Sequence, residues 1–300
     1  MSLYQAEEPR CRSEQGSVAL RIEPIQKDLG AFCVRRVLPA TERRMVGPFI
    51  FFDHMGPSQL PPGEGIQVRP HPHIGIATIT YLFEGLILHR DSLGYVQPIR
   101  PGAVNLMTAG RGIVHSERAG DDLHTSSTLH GIQSWLALPD DLEECPPDFL
   151  HVTADEIPQV QLPGARVRVI MGTAFGRRSP VPTSSPTLYL ECQLSAGSSL
   201  RLPEMSRELA VYPVSGALDI DGAAHPAGVM AVAADGASLT LRAREDALVM
   251  VIGGDPVGER HIWWNLVSSR KARIEQAKTD WKTGRFAGVP DDPEFIPLPE

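Results

Sequence analysis

Cysteine is scarce and scattered in this 300-residue chain, which has only Cys11, Cys33, Cys145 and Cys192. No two of them form a CxxC pair, and small secreted domains that depend on disulfides carry cysteines far more densely. We therefore expect reduced thiols, with Cys33 and Cys192 inside strands as small apolar side chains. The sequence also lacks a GxSxG motif and a glycine-rich phosphate loop, which removes the usual signals of serine hydrolases and nucleotide-binding enzymes.

Excess positive charge and long apolar runs are also missing. The chain has 36 acidic and 28 basic residues, a formal net charge of −8, and so offers no broad basic surface for phosphates or anionic lipids. No apolar stretch approaches the length of a membrane helix, and the first residues, MSLYQAEEPRCRSEQG, lack the basic and apolar regions of a signal peptide. We expect a cytoplasmic protein that binds neither membranes nor nucleic acid directly.

Short apolar and β-branched runs separated by glycine and proline fill most of the chain. Glycine and proline number 27 each, which is typical of an all-β sandwich or barrel. The connections are too short for crossover helices, so antiparallel pairing is expected. Strands are predicted in the first half at residues 19–22, 32–38, 49–52, 74–83, 86–91, 104–106, 113–117 and 132–138, with turns at Gly85, 92–94 and 101–102.

Two stretches could separate domains: an acidic one at 139–149 (PDDLEECPPDF) and a polar, Pro/Ser-rich one at 176–186 (GRRSPVPTSSP). The second is the better boundary, because a second β-rich series follows it. The predicted strands of this series cover 188–194, 208–213, 217–220, 229–232, 238–242 and 247–252, and Asp221-Gly222 is expected to form a hairpin turn. The sequence therefore favours two tandem β-barrels, one in residues 1–180 and one in residues 181–300.

The clearest helical pattern lies near the end of the chain. Apolar residues recur there at three- and four-residue spacing from Leu266 to Trp281, with Asn265 as the predicted N-cap and Gly284 as the stop. The helix is expected to cover a barrel with its apolar face. The following VPDDPEFIPLPE segment is too rich in proline for a helix and is predicted to run extended.

Two short motifs carry the candidate chemistry: His71-Pro72-His73 and His115-Ser116-Glu117. On a strand, residues i and i+2 point to the same face, so each motif can aim two side chains at one point. Imidazole suits iron, zinc, copper and nickel, and a mixed imidazole and carboxylate set with open positions suits non-haem iron used for oxygen chemistry. The pattern predicts one divalent transition-metal site.

The positions that follow the first motif predict the surroundings of this metal. Gly75 and Ala77 share parity with the two histidines and would leave room for a substrate, and larger residues of the same parity would close the barrel floor, namely Ile79, Tyr81 and Phe83. The second half has only His225 and His261, in neither an HxH nor an HxE motif. His225 is predicted to be a surface residue. The remaining histidines, His89 among them, are interpreted as solvated or core polar groups.

Several segments give the sequence a clear resemblance to the pirin family of the cupin superfamily. These are Gly47-Pro48-Phe49 with Asp53-His54, RPHPHIGIATITYLFEG at 69–85, AGRGIVHSE at 109–117, WWNLVSSRKARIEQAKTDWKTGRF at 263–286 and the final EFIPLPE. The resemblance implies a bicupin fold, two jelly-roll barrels with one metal in the first. It also implies that His71, His73, His115 and Glu117 are the ligands of Fe(II), with zinc, nickel, copper and manganese as alternatives.

The activity that this resemblance implies is oxidative cleavage of a flavonol such as quercetin by dioxygen, with loss of carbon monoxide. The partners are then a small phenolic substrate and dioxygen. In this interpretation Glu117 is both ligand and general base, because a loosened carboxylate can accept the flavonol proton. Two alternatives are open: an iron-dependent redox sensor or transcriptional cofactor that binds a protein partner, and a cupin that is catalytically silent or acts on another phenol or enol.

Overall fold

The structure is a computed structural model that describes residues 8–28 and 32–299. Within these residues the chain forms 27 β-strands and one α-helix, and the paired strands of its sheets run antiparallel. The predicted all-β class with a late helix is confirmed. None of the described helices is long and apolar enough to cross a membrane.

The strands follow one another closely along the chain. The first fourteen are β1 Arg10–Ser13, β2 Val18–Glu23, β3 Ile25–Asp28, β4 Cys33–Leu38, β5 Phe49–Leu60, β6 Gln67–His73, β7 Ile76–Glu84, β8 Ile87–Asp91, β9 Val96–Ile99, β10 Val104–Thr108, β11 Ile113–Arg118, β12 Ser127–Ala137, β13 Asp148–Val152 and β14 Gln159–Leu162. The others are β15 Ala165–Met171, β16 Thr173–Ala174, β17 Arg177–Arg178, β18 Thr187–Leu194, β19 Ser199–Leu202, β20 Glu208–Ser215, β21 Leu218–Ile220, β22 Ala223–His225, β23 Met230–Ala233, β24 Leu239–Ala243, β25 Ala247–Gly254, β26 His261–Trp263 and β27 Leu266–Ser268, and the helix α1 is Lys271–Lys282.

The chain divides into two compact units, each assembled from separated segments. Unit 1 holds the described residues of Met1–Lys27, Val34–His54 and Ile157–Pro256. Unit 2 holds those of Asp28–Cys33, Met55–Glu156 and Val257–Glu300. The helix α1 therefore lies in the same unit as strands β6 to β13. The predicted domain limits, 1–180 and 181–300, stay a prediction.

Unit 1 has an eight-stranded sheet in the order β1-β2-β23-β20-β25-β18-β15-β14 and a four-stranded sheet in the order β19-β24-β21-β22. Alternate residues of both sheets are buried and form one apolar cluster, which includes Val167, Leu190, Cys192, Leu200 and Leu241. Burial raises the pKa of the Cys192 thiol far above its usual value. The interior of this unit is therefore filled with aliphatic side chains.

Two sequence predictions fall on the β21–β22 hairpin of unit 1. Ile220 pairs with Ala223, and Asp221 and Gly222 both have positive φ angles, so the predicted two-residue turn is confirmed. The prediction that His225 lies at the surface is wrong. Its side chain is buried, and its Nε2 lies 2.8 Å from the Val229 carbonyl oxygen, because β22 turns this face inward.

Unit 2 contains the strands with the candidate ligands. One sheet has the order β6-β11-β8-β9, and strands β13-β10-β7-β12 lie side by side in another. The turns predicted at Gly85, 92–94 and 101–102 join consecutive strands of this unit, and Gly85, Gly94 and Gly102 have the positive φ angles that such turns require. Contacts between side chains such as His73 and Trp135 show that the two sheets pack face to face.

The prediction that one strand runs through residues 74–83 with the parity of His73 is wrong. Gly75 has φ +70°, which ends β6 and lets the chain enter β7 in the other sheet. This break resets the alternation. Thr80, rather than Ile79 or Tyr81, contacts the side chains of Glu117 and Gln133 in the interior.

The predicted start of the helix is also wrong. Trp264 and Asn265 form the two-residue turn of the β26–β27 hairpin, in which Trp263 pairs with Leu266. Leu266 is buried as a strand residue, and the helix begins at Lys271 after an extended Arg270. The predicted stop is confirmed, because Gly284 follows the helix with a positive φ angle. Ile274 and Ala277 of the helix pack on Ile74 and Leu266.

The segment after the helix forms no further strand or helix in its described part, 285–299, and lies along the metal-motif strands. Asp292 accepts two hydrogen bonds from the Arg118 guanidinium, at 2.9 and 2.6 Å. The amide of Ile296 donates to the Pro70 carbonyl at 2.9 Å. Val289 and Asp292 close a turn in which Asp291 has a positive φ angle, so the predicted extended run is wrong at its start. For the rest of the tail it stays a prediction.

Candidate metal centre

Three imidazoles converge inside unit 2. His71 pairs directly with His115 across β6 and β11, and His73 lies two residues beyond His71 on the same face. Their ring centroids are 4.4 Å apart for His71 and His115 and 5.0 Å apart for the other two pairs. One nitrogen from each ring lies within 4.8 Å of the other two, and all three side chains are buried. This is a site in which three ring nitrogens can face one cation.

Backbone carbonyls fix the orientation of two of these rings. His71 Nδ1 lies 2.9 Å from the Arg69 carbonyl oxygen, next to a β-bulge that shifts the β6–β11 register between His115 and Glu117. His73 Nδ1 lies 3.1 Å from the Asn265 carbonyl oxygen. Because a carbonyl only accepts, Nδ1 carries the proton in each ring and the Nε2 lone pair is left for a ligand.

The third ring, that of His115, has no such partner. Both of its nitrogens are buried and form no hydrogen bond in the described part of the chain. A buried polar group without a partner is costly, and coordination to a cation would satisfy one of these nitrogens. This orphaned imidazole, next to two rings with preset lone pairs, fits a transition metal.

Burial keeps the three rings neutral. Loss of solvation lowers the pKa of His71 to about 4 and moves the pKa values of His73 and His115 well below the usual value. The positive charge that each ring would carry also disfavours protonation of its neighbours. A metal needs neutral imidazole, so the three side chains are in the ligand form at neutral pH.

Glu117 lies on the same strand face but is not one of the clustered ligands. Across β11 and β8 it pairs with His89, and none of its oxygens joins the group of atoms that lie within 4.8 Å of one another among the described residues. Desolvation raises the pKa of its carboxyl group to about 7, and a hydrogen bond with Thr80 partly opposes this shift. Its role as fourth ligand stays a prediction.

The opposite sheet supplies the facing wall. The Trp135 ring lies 5.0 Å from the His73 ring at 78°, an edge-to-face contact. Thr80 Oγ1 donates to Gln133 Oε1 at 2.8 Å, and both residues lie near the end of the site that holds Glu117. The site is thus bounded by imidazoles on one side and by an indole and two polar side chains on the other.

Sequence reasoning missed a pair on a third strand. His89 and Asp91 of β8 lie opposite Glu117 and His115 in register and are both buried. His89 Nε2 lies 2.9 Å from Asp91 Oδ2, and the His89 ring centroid is 5.4 Å from that of His115. The sequence carries a signal for this pair as a third i, i+2 motif, His89-Arg90-Asp91, which is neither HxH nor HxE.

Comparison with known proteins gives one consistent result. The Pirin family model matches residues 31–136, and the model for the Pirin C-terminal cupin domain matches residues 189–287. A pirin-like protein of Caulobacter vibrioides is 49% identical over 280 residues, which cover 92% of this chain and 97% of that protein. A protein of Pseudomonas aeruginosa named "putative quercetin 2,3-dioxygenase" is 39% identical over 85% of this chain and 80% of its own length. The crystal structure of quercetin 2,3-dioxygenase from Acinetobacter baumannii superposes with a TM-score of 0.87 at 32% identity and covers 93% of this chain and 94% of its own.

Proposed function

The chain belongs to the pirin family, and we propose that it is a metal-dependent oxidoreductase that cleaves a flavonol such as quercetin with dioxygen. The observation that carries the proposal is the cluster of three buried imidazoles with ring nitrogens within 4.8 Å of one another. The names of two similar proteins, which refer to quercetin 2,3-dioxygenase, support the substrate class and the reaction.

The metal would be held by His71, His73 and His115, with Glu117 as a fourth ligand. Three imidazoles and one carboxylate suit Fe(II), which we propose as the native ion, and zinc, nickel, copper and manganese are the competitors to test. When bound, the metal would supply Lewis-acid polarisation of a substrate oxygen and would lower the pKa of the hydroxyl that carries it.

Glu117 is the proposed general base for the flavonol hydroxyl. Its pKa of about 7 lies near neutral pH, where a base can both accept a proton and release it again. The proton would move from the substrate oxygen to a Glu117 carboxylate oxygen. The adjacent Thr80 hydroxyl lies within hydrogen-bond reach of both Glu117 and Gln133 and can donate its one proton to either. Donation to Glu117 would keep the carboxylate pointed into the site.

Trp135 is the proposed contact for the aromatic rings of the substrate. It is 7% exposed and lies across the site from the imidazoles, so its indole offers a rigid apolar surface to a planar molecule. The burial of the neighbouring histidines would keep water away from the reacting oxygen once the substrate fills the site.

The test combines metal analysis with oxygen uptake. Protein stripped of metal is loaded in turn with Fe(II), Zn(II), Ni(II), Cu(II) and Mn(II), and bound metal, oxygen consumption and carbon monoxide release are measured with quercetin. We expect one metal per chain and stoichiometric consumption of quercetin and oxygen with at least one metal. His71→Ala should lose both metal and uptake, and His130→Ala, on strand β12 outside the cluster, should keep both.

Two results would contradict the proposal. Metal content equal in wild type and His71→Ala would place the ion elsewhere. Full metal loading with no oxygen uptake on quercetin or on simpler enols would reject the oxygenase and leave a metal-containing binding protein, for which capture of a partner in one oxidation state alone is the next experiment.

A further inference from the structure

The three imidazoles are not held in the same way. His71 and His73 each donate from Nδ1 to a backbone carbonyl, whereas neither nitrogen of His115 forms a hydrogen bond in the described part of the chain. A metal ligand usually gains its orientation and basicity from a second partner. His115 must therefore be oriented by the side chains that pack against its ring.

His89 approaches His115 from β8, which pairs with β11 on the edge opposite to β6. Its ring lies 5.4 Å from the His115 ring at 39° and also stacks on the Phe149 ring at 4.4 Å and 16°. His89 is 5% exposed and Phe149 is 6% exposed, so both rings lie in a packed interior. The His89 ring thus contacts both Phe149 of the opposite sheet and the ligand His115.

Asp91 holds the His89 ring in this position by a hydrogen bond. The carboxylate is fully buried and uses both oxygens: Oδ2 accepts from His89 Nε2 at 2.9 Å, and Oδ1 accepts from the amides of Leu93 and Tyr95 at 2.9 and 3.1 Å. The same residue closes the β8–β9 hairpin and holds the histidine. Both carboxylate oxygens of Asp91 are engaged, so the carboxylate itself is held in place. The hydrogen bond from this fixed group leaves the His89 side chain little freedom at χ1 or χ2.

We propose that His89, locked by Asp91, is a positioning residue that holds the His115 imidazole in its metal-binding orientation. The role rests on the metal site of the proposed function but not on flavonol cleavage. His89 acts through the contact of its ring with the His115 ring, and Asp91 acts by fixing the His89 ring. A backbone carbonyl orients each of the His71 and His73 rings. His115 has no such carbonyl, and the His89–Asp91 pair takes its place.

The experiment measures metal binding in the full-length protein rather than turnover. Ni(II) dissociation constants are determined by competition with a chromophoric chelator, and the visible spectrum of the Co(II) form reports the ligand geometry. His89→Ala should weaken Ni(II) binding by about tenfold to a hundredfold, the usual cost of removing the partner of a metal ligand, and should change the Co(II) bands. His89→Phe keeps a flat ring on Phe149 but loses the bond to Asp91. It should therefore recover part of the affinity and bring the Co(II) bands closer to those of the wild type.

Asp91→Asn is the second variant. An Asn whose oxygen still accepts from the Leu93 and Tyr95 amides would turn its NH2 group, a donor, toward His89 Nε2 and break that bond. It should weaken Ni(II) binding with His89 still present. His130→Ala is the matched control, since His130 contacts Phe83 at 4.9 Å on the other sheet and should bind Ni(II) as wild type does. Thermal midpoints of the metal-free proteins identify any variant that has lost its fold.

Wild-type affinity and an unchanged Co(II) spectrum in His89→Ala would overturn the proposal. So would a His89→Phe protein that binds as weakly as His89→Ala, because packing would then not be the mechanism. If His89→Ala does not fold, a folded Asp91→Asn protein with wild-type binding and bands overturns it. Failure of flavonol cleavage in the wild type would contradict the proposed function and would leave these titrations unaffected.

Discussion

His73 Nδ1 lies 3.1 Å from the backbone carbonyl oxygen of Asn265, 192 residues later in the sequence. The two-residue turn of the β26–β27 hairpin places this carbonyl, and Ile74 forms an isolated bridge with Leu266 beside it. One candidate ligand of the HxH motif is thus oriented by the C-terminal segment of unit 2. Residues 257–299 therefore contribute to the metal centre as well as to packing.

His73→Ala should abolish stable metal binding. Loss of a ligand's partner alone costs about tenfold to a hundredfold in affinity, so loss of the ligand is expected to cost about a hundredfold or more. Metal content after gel filtration measures this directly. The control is His151→Ala, which removes a histidine bonded to Asn105 on neighbouring strands and should keep full metal content. Stoichiometric metal in His73→Ala would remove His73 from the site.

Glu117→Gln should separate metal binding from turnover. The amide keeps the size of the side chain and an oxygen that can bind a cation, so some metal should stay bound. General bases contribute about a hundredfold to ten-thousandfold, and turnover should fall by at least about a hundredfold. Steady-state oxygen uptake per bound metal is the measurement. Equal turnover per metal in wild type and variant would refute the role of Glu117 as base.

The two metal motifs could be read from the sequence because the alternation of side chains on a strand is local. The i, i+2 rule put His71 and His73 on one face, although the predicted strand began at residue 74 and did not include β6. The convergence of these two side chains with His115 follows from pairing of β6 with β11. The same local rule failed two residues after His73, because Gly75 takes φ +70° and moves the chain into another sheet. The alternation from His73 could not be extended across that break.

The parts that the sequence did not reveal depend on distant contacts. Asn265 was predicted as a helix cap because a polar residue before a helical apolar pattern is a typical N-cap. In the structure Trp263 pairs with Leu266, and Asn265 lies in the hairpin turn between them. His225 looked exposed beside a turn, and only the inward face of β22 buries it. His89 became visible as part of the site only when β8 was placed next to β11.

Asp292→Asn should lower stability and remove part of its acid dependence. Two hydrogen bonds from Arg118 hold the pKa of Asp292 below its usual value, and the contact pins the tail to β11. A carboxylate with a depressed pKa in the folded state stabilises above the unfolded pKa of about 3.9, and this contribution is lost as pH falls through the folded pKa. At pH 7 we expect a loss of about 1.5–3 kcal/mol in the free energy of unfolding, the range for hydrogen bonds to charged groups.

Denaturant unfolding of metal-free protein at pH 7, 5 and 3 tests this expectation. The difference between wild type and Asp292→Asn should be constant from pH 7 to pH 5 and should shrink toward pH 3. Glu294→Gln is the control, since this 56% exposed carboxylate contacts the same Arg118 and should cost less than about 1 kcal/mol. A difference that grows on acidification would contradict the assigned sign.

Gly75→Ala should weaken both the fold and the metal site. A Cβ at this position would lie 2.1 Å from the Val267 carbonyl oxygen, and the left-handed backbone costs a residue with a Cβ about 1–2 kcal/mol even without a clash. Gly176→Ala is the matched control, because Gly176 has nearly the same φ, +73°, with no atom within 4 Å of the added Cβ. We expect Gly176→Ala to lose about 1–2 kcal/mol in the free energy of unfolding and Gly75→Ala to lose more. Relief of the clash must move the strand that follows Asn265, so Gly75→Ala, unlike Gly176→Ala, should also weaken Ni(II) binding. Equal Ni(II) affinity in wild type and folded Gly75→Ala would show that the Asn265 carbonyl does not control the orientation of His73.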